Sequence, residues 1–188
     1  DVGMRSVLAP MVADISFFEA IPGLMEELPP SLRTAVGAMR LAPADATLAA
    51  IGDVIENWAV DPAIIRPAVA PTIPHHCSEH FLCGCRDIAH AHGLGLHSHV
   101  AESKVQAIAS RRLFGRTLLA HMDDMGLVGP DFVVGHGVWL DDDDMRRLAD
   151  KGGHVSHNAG SNALLGNGIA DARRMLELGV NVAIGTDG

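Results

Sequence analysis

From residue 60 onward the chain alternates between short apolar runs and longer amphipathic ones, which restricts the fold more than any other feature. "IIRPAVAPT" (64–72) has the length and composition of a buried strand, and "SEHFLCGCRDIAHAHG" (78–93) reads as a helix with Ser78 at its N-cap. "LGLHSHVAE" is the next strand, followed by helical stretches at 103–114 and 116–125. "DFVVGHGVWL" is a strand, and "DDDDMRRLADKG" a helix with acids at its positive end and Gly152 or Gly153 stopping it. "HVSHNAGSN" is a strand and loop, "DARRMLELGV" a helix and "NVAIGTDG" a last strand. Strands joined through helices run parallel, so the pattern βαβαβαβαβ predicts an α/β fold built on a parallel sheet.

"MRSVLAP" (4–10) reads as an earlier strand, and the region between it and residue 60 is less regular, with a helix expected at 46–59. That makes six strands, with no internal repeat. A closed eight-stranded α/β barrel typically takes ~250 residues, so 188 residues fall short of a whole one. An open doubly wound sheet is the alternative. The chain opens on "DVGMRSVLAP" without an initiator Met and ends on a strand, so it is expected to be an interior piece of a longer protein.

Composition narrows the function. A formal charge of −9 argues against nucleic acid, because phosphate binding needs clustered Lys and Arg. No apolar run reaches the ~18–20 residues of a membrane span, so no membrane partner is expected. Three cysteines suggest free thiols in a reducing compartment, and hence a cytoplasmic location.

In parallel α/β folds ligands sit at the carboxyl ends of the strands. Here those ends carry His99 with Glu102 just beyond, His136, His157 with Asn158, and Thr186 with Asp187. Neutral imidazole and carboxylate suit a hydrolytic divalent ion such as zinc, and a nearby carboxylate can shuttle protons. His97 and His99 share a strand face, but His99 lies nearer the carboxyl end, and His97 reads as a deeper, supporting residue.

The stretches "LHSHVAE", "GHGVWL", "VSHNAGSN" with "GIADARRMLELGVNVAIGTDG", and more weakly "APTIPHHCS", cover residues 64–188. In order and spacing they resemble the amidohydrolase superfamily, in the branch that holds guanine-type, adenosine-type and cytosine deaminases and the triazine chlorohydrolases. The resemblance implies a distorted (β/α)8 barrel of TIM type, incomplete here, with about strands three to eight present. Residues 1–188 would then form a single partial catalytic domain, with an early strand and irregular insertion over 1–60 and regular βα repeats over 61–188.

The same resemblance implies roles. His99 and Asp187 would be metal ligands, Glu102 the proton shuttle, and Asp187 also the acceptor of the water proton. His136 would contact the water or the substrate, and it is itself a ligand in two-metal relatives. Thr72 stands where some subfamilies place a substrate-contacting His just after "AP", and His75 lies just past the fourth strand, so both are expected on the substrate side. "VAPT" offers no Lys or Glu to bridge two ions, which favours one divalent metal, zinc before iron or manganese. The implied reaction is hydrolytic deamination of a small purine-, pterin- or pyrimidine-like N-heterocycle. The alternatives are dechlorination or dealkylamination of a triazine ring, or a catalytically inactive fragment. Association into a homo-oligomer is left open.

Other polar clusters have plainer readings. Cys83 and Cys85 lie two apart on a helix and face different ways, which argues against a second zinc site in "HHCSEHFLCGC". Asp141–Asp144 is a solvated helix start. His157 and Asn158 brace loops, while Ser161 and Asn162 fit a turn that caps the next helix.

The family's first-strand His-x-His pair has no counterpart in these 188 residues, because "HAH" at 90–92 ends a helix. The 188-residue chain alone is therefore expected to hold zinc weakly and to show no turnover. Metal analysis with an activity assay checks this, and stoichiometric zinc with full hydrolysis would overturn it.

Overall fold

Every strand pairing among the described residues is parallel, as the βα alternation requires. The computed structural model describes residues 3–39 and 41–187. The chain divides between Leu94 and Gly95 into two compact units.

In the first unit, β1 (Ser6–Leu8) pairs with β3 (Ile65–Pro67), and β2 (Met11–Val12) with β4 (Ala70–Pro71). The strand expected at 64–72 is thus broken in the middle, and the one expected at 4–10 shortens to Ser6–Leu8 and is followed by a second at Met11–Val12. Pro10, Pro67 and Pro71 explain the breaks, because proline has no N–H to give to a ladder. The Ala68 N–H donates to the Leu8 carbonyl (2.9 Å) and the Thr72 N–H to that of Val12 (2.9 Å), which keeps the two halves in step.

The irregular region resolves into α1 (Phe17–Ala20), α2 (Leu24–Glu27), α3 (Pro30–Gly37) and α4 (Ala44–Glu56). A capping box between Ser16 and Glu19 starts α1, and Pro30 in the first turn starts α3. A 3₁₀ turn (Pro74–His76) leads to α5 (Glu79–His92). The Ser78 hydroxyl caps α5 by accepting from the Phe81 N–H (3.1 Å). Phe81, Leu82, Cys85 and Ala89 form its buried stripe, whereas Cys83 is half-buried.

The second unit contains β5 (Leu96–Val100), α6 (Lys104–Phe114), α7 (Leu118–Asp124), β6 (Phe132–His136) and α8 (Asp142–Lys151). It continues with β7 (His154–His157), α9 (Ala159–Leu164), α10 (Ala172–Glu177) and β8 (Asn181–Ile184). Its sheet runs β5-β6-β7-β8, with spatial order following chain order. Asp141 caps α8 in a reciprocal box with Asp144, and Gly152, at φ +73°, ends it.

Register decides what meets at the strand ends. His99 lies opposite Gly135, Gly135 opposite Ser156, and Ser156 opposite Ala183, so the four carboxyl ends finish nearly flush. Leu96, Ser98, Val100, Phe132 and Val134 make a fully buried row, and His97, His99, Val133 and Gly135 a half-buried one. Leu118, Leu119, Met122, Leu148 and Met175 supply buried helix side chains. Among the described residues no helix is long and apolar enough to cross a membrane.

Burial, reinforced by neighbouring Asp14, pushes the Cys85 thiol up to about 12, and burial raises Cys77 as well. At pH 8 both stay protonated, and the thiolate is the nucleophile. Iodoacetamide at pH 8 is therefore expected to label Cys83 at least about tenfold faster than Cys85 in the native chain. Mass spectrometry of the labelled peptides checks this, and equal rates would contradict the packing of α5.

Candidate metal and proton-transfer site

His99, near the carboxyl end of β5, belongs to the half-buried row that it shares with His97. By strand alternation His136 belongs to the other, buried row, opposite Val100. The backbone breaks that alternation. His136 has φ +72°, a left-handed conformation uncommon for non-glycine residues. Its ring stacks on that of His99, with centroids 5.4 Å apart and planes 28° from parallel.

Asp187 arrives in a similar way. The last strand stops at Ile184, and Asp187, three residues on, has φ +60°. Its Oδ2 lies 3.7 Å from His136 Nε2, too far for a hydrogen bond. Ala101, just past β5, is left-handed too (φ +53°). Each such residue costs on the order of 1–3 kcal/mol, and they cluster where function needs a special chain direction.

One ligand atom from each of His99, His136 and Asp187 lies within 4.8 Å of the others. His136 is 1% exposed, and its Nδ1 pairs at 2.8 Å with Asn162 Oδ1. The oxygen accepts, so Nδ1 carries the proton and Nε2 keeps its lone pair. That Nε2 is buried without a hydrogen-bond partner among the described residues. The His99 imidazole, an Asp187 carboxylate oxygen and the buried Nε2 lone pair of His136 fit a divalent zinc-type cation.

Glu102 sits in the loop after β5. Asn167 Nδ2 donates to its Oε1 (3.0 Å) and Gln106 Nε2 to its Oε2 (3.4 Å), while its own N–H donates to Gln106 Oε1 (3.0 Å). His97 is half-buried, and desolvation holds its imidazole below the ordinary histidine range. Asn158 accepts from the Ser156 hydroxyl (3.0 Å), and His157 Nδ1 is buried without a hydrogen-bond partner among the described residues. Thr72 and His75 belong to the first unit. Thr72 follows β4 with its hydroxyl 3.7 Å from Met11 Sδ, and His75 is buried in the 3₁₀ turn.

Sequence reasoning misses three supporting residues. Asn162 is expected in a turn, but it lies inside α9 and is 1% exposed, because its carboxamide is spent on His136 rather than on a helix cap. Asn167 carries no signal beyond its place between two glycines. Gln106 could have been found as the i+4 neighbour of Glu102 on a helix start.

The sequence profile of the amidohydrolase family matches residues 5–188. The chain belongs to the amidohydrolase family. Its parallel strands make up part of the (β/α)8 barrel of that family. Among curated proteins it is 44% identical over 134 residues to a 5-methylthioadenosine/S-adenosylhomocysteine deaminase of Syntrophobacter fumaroxidans, matching 71% of this chain and 30% of that protein. It is 42% identical over 124 residues to a 5'-deoxyadenosine deaminase of Methanosarcina mazei, matching 66% of this chain and 29% of that one. The match thus spans about 30% of these relatives' length. Among solved structures, a zinc-bound adenosine deaminase from Xanthomonas campestris superposes with a TM-score of 0.79 at 25% identity, covering 99% of this chain and 37% of that one.

The approach to Asp187 is tight. A Cβ on Gly185 would stand 2.2 Å from Asn158 Oδ1 and 2.7 Å from Ser156 Oγ. Gly185→Ala is expected to cost about 1–3 kcal/mol of stability and to weaken divalent-cation binding at the His99, His136 and Asp187 cluster by displacing Asp187. Denaturant melts and competition with a chromophoric chelator check both, and unchanged values would refute this packing.

Proposed function

We propose that the whole protein is a divalent-metal-dependent hydrolase, with zinc as its single ion, that deaminates the purine ring of adenine nucleosides modified at the 5′ position. The convergence of His99, His136 and Asp187 on one spot carries the reading. The names of the two curated relatives support the substrate class.

His99 and Asp187 would hold the ion. When bound, zinc supplies Lewis-acid activation of water at neutral pH. The remaining steps belong to the chain. Asp187 accepts a proton from the attacking water, and His136 orients that water through the Nε2 lone pair that its bond to Asn162 leaves free. Glu102 delivers its proton to the ring nitrogen beside the carbon under attack, takes up the proton of the added hydroxyl and hands it to the departing amine, and the proton held by Asp187 returns to Glu102. Water adds to the amino-bearing carbon, and ammonia leaves.

In the whole protein, Glu102→Gln should lower kcat by about 10²–10⁴-fold while leaving zinc content unchanged. Unaltered turnover would refute the shuttle. Assaying ammonia from 5′-modified adenosines beside chloride from a chlorotriazine tests the substrate class, and chloride release alone would overturn it.

A further inference from the structure

We propose that Asn167 is a positioning residue that fixes the Glu102 carboxylate for proton transfer, a role that rests on the deaminase reading above. Its Nδ2 donates to Oε1 at 3.0 Å, whereas among the described residues the only other amide reaching the carboxylate, from Gln106, is 3.4 Å from Oε2. An oxygen engaged by a good N–H donor is a poor place for a proton, and a 3.4 Å contact is weak. The asymmetry therefore keeps Oε1 as an acceptor and leaves Oε2 to carry the travelling proton.

Asn167 is itself held from three sides. Its carbonyl accepts from Trp139 Nε1 (2.8 Å), and its N–H donates to the Asn162 carbonyl (2.9 Å). Gly168, beside it, has φ +119°, and a Cβ there would stand 3.0 Å from Val138 Cγ1. This Gly-Asn-Gly turn aims a carboxamide at Glu102 from 65 residues away in sequence. The segment also carries Asn162, so two carboxamides five residues apart brace His136 and Glu102.

Asn167→Asp tests the role, because it keeps the shape and both backbone bonds while replacing the donor with an acceptor. In the zinc-loaded whole protein, Asn167→Asp and Asn167→Ala should each lower kcat by at least about tenfold, with KM for the adenine nucleoside within about twofold. Zinc content and melting temperature should hold. In the 188-residue chain, Glu102→Gln should shift the side-chain NH₂ resonances of Asn167 and leave those of Asn57 in place. Asn167→Asp with kcat within about twofold of the wild type, or unmoved Asn167 resonances, overturns the proposal. A wild-type protein that frees no ammonia from any adenine nucleoside sinks the deaminase reading and this role with it. The resonance shift then still reports whether the two side chains pair.

Discussion

The parallel register of β5 to β8 is the constraint on which the rest of the second unit depends. Backbone hydrogen bonds set His99, Gly135, Ser156 and Ala183 side by side. Because side chains alternate faces, a slip of one residue would send every one of them to the opposite side. The buried row Leu96, Ser98, Val100, Phe132 and Val134 resists that slip, since it would bring His97 and His99 into the dry layer. Hydrophobic burial thus fixes the position of polar groups it does not touch.

Register alone leaves His136 on the wrong face and Asp187 beyond the sheet. Both are brought in by left-handed backbone, at φ +72° and +60°. Such strain persists only where the surroundings over-determine it. At His136 the surroundings are a buried carboxamide from Asn162, and at Asp187 a chain path so close to Asn158 and Ser156 that only glycine fits at position 185. The polar supports and the strained turns are therefore one arrangement, with each making the other tolerable.

Much of this could be read from residues alone. The strand and helix periods, the cap at Ser78, the acidic start of α8 and the donors His99, His136 and Asp187 at or just past strand ends are local features, written in side-chain spacing and capping chemistry. The interruptions between β1 and β2 and between β3 and β4 leave no mark in the apolar pattern, because proline costs one ladder bond without changing it. Asn162 read as a turn residue because Asn favours turns on its own, and only a buried imidazole from 26 positions earlier gives it a reason to sit inside a helix.

By itself the sequence determined the parallel α/β class, the alternation of strands and helices beyond residue 60 and which side chains have the chemistry to bind a cation or move a proton, because periodicity and residue chemistry are properties of neighbours along the chain. The tertiary structure alone decided that His136 turns out of its strand row to stack on His99, and that Asn167 reaches Glu102. Those contacts depend on backbone angles and approaches between residues far apart in the chain, which no local pattern encodes.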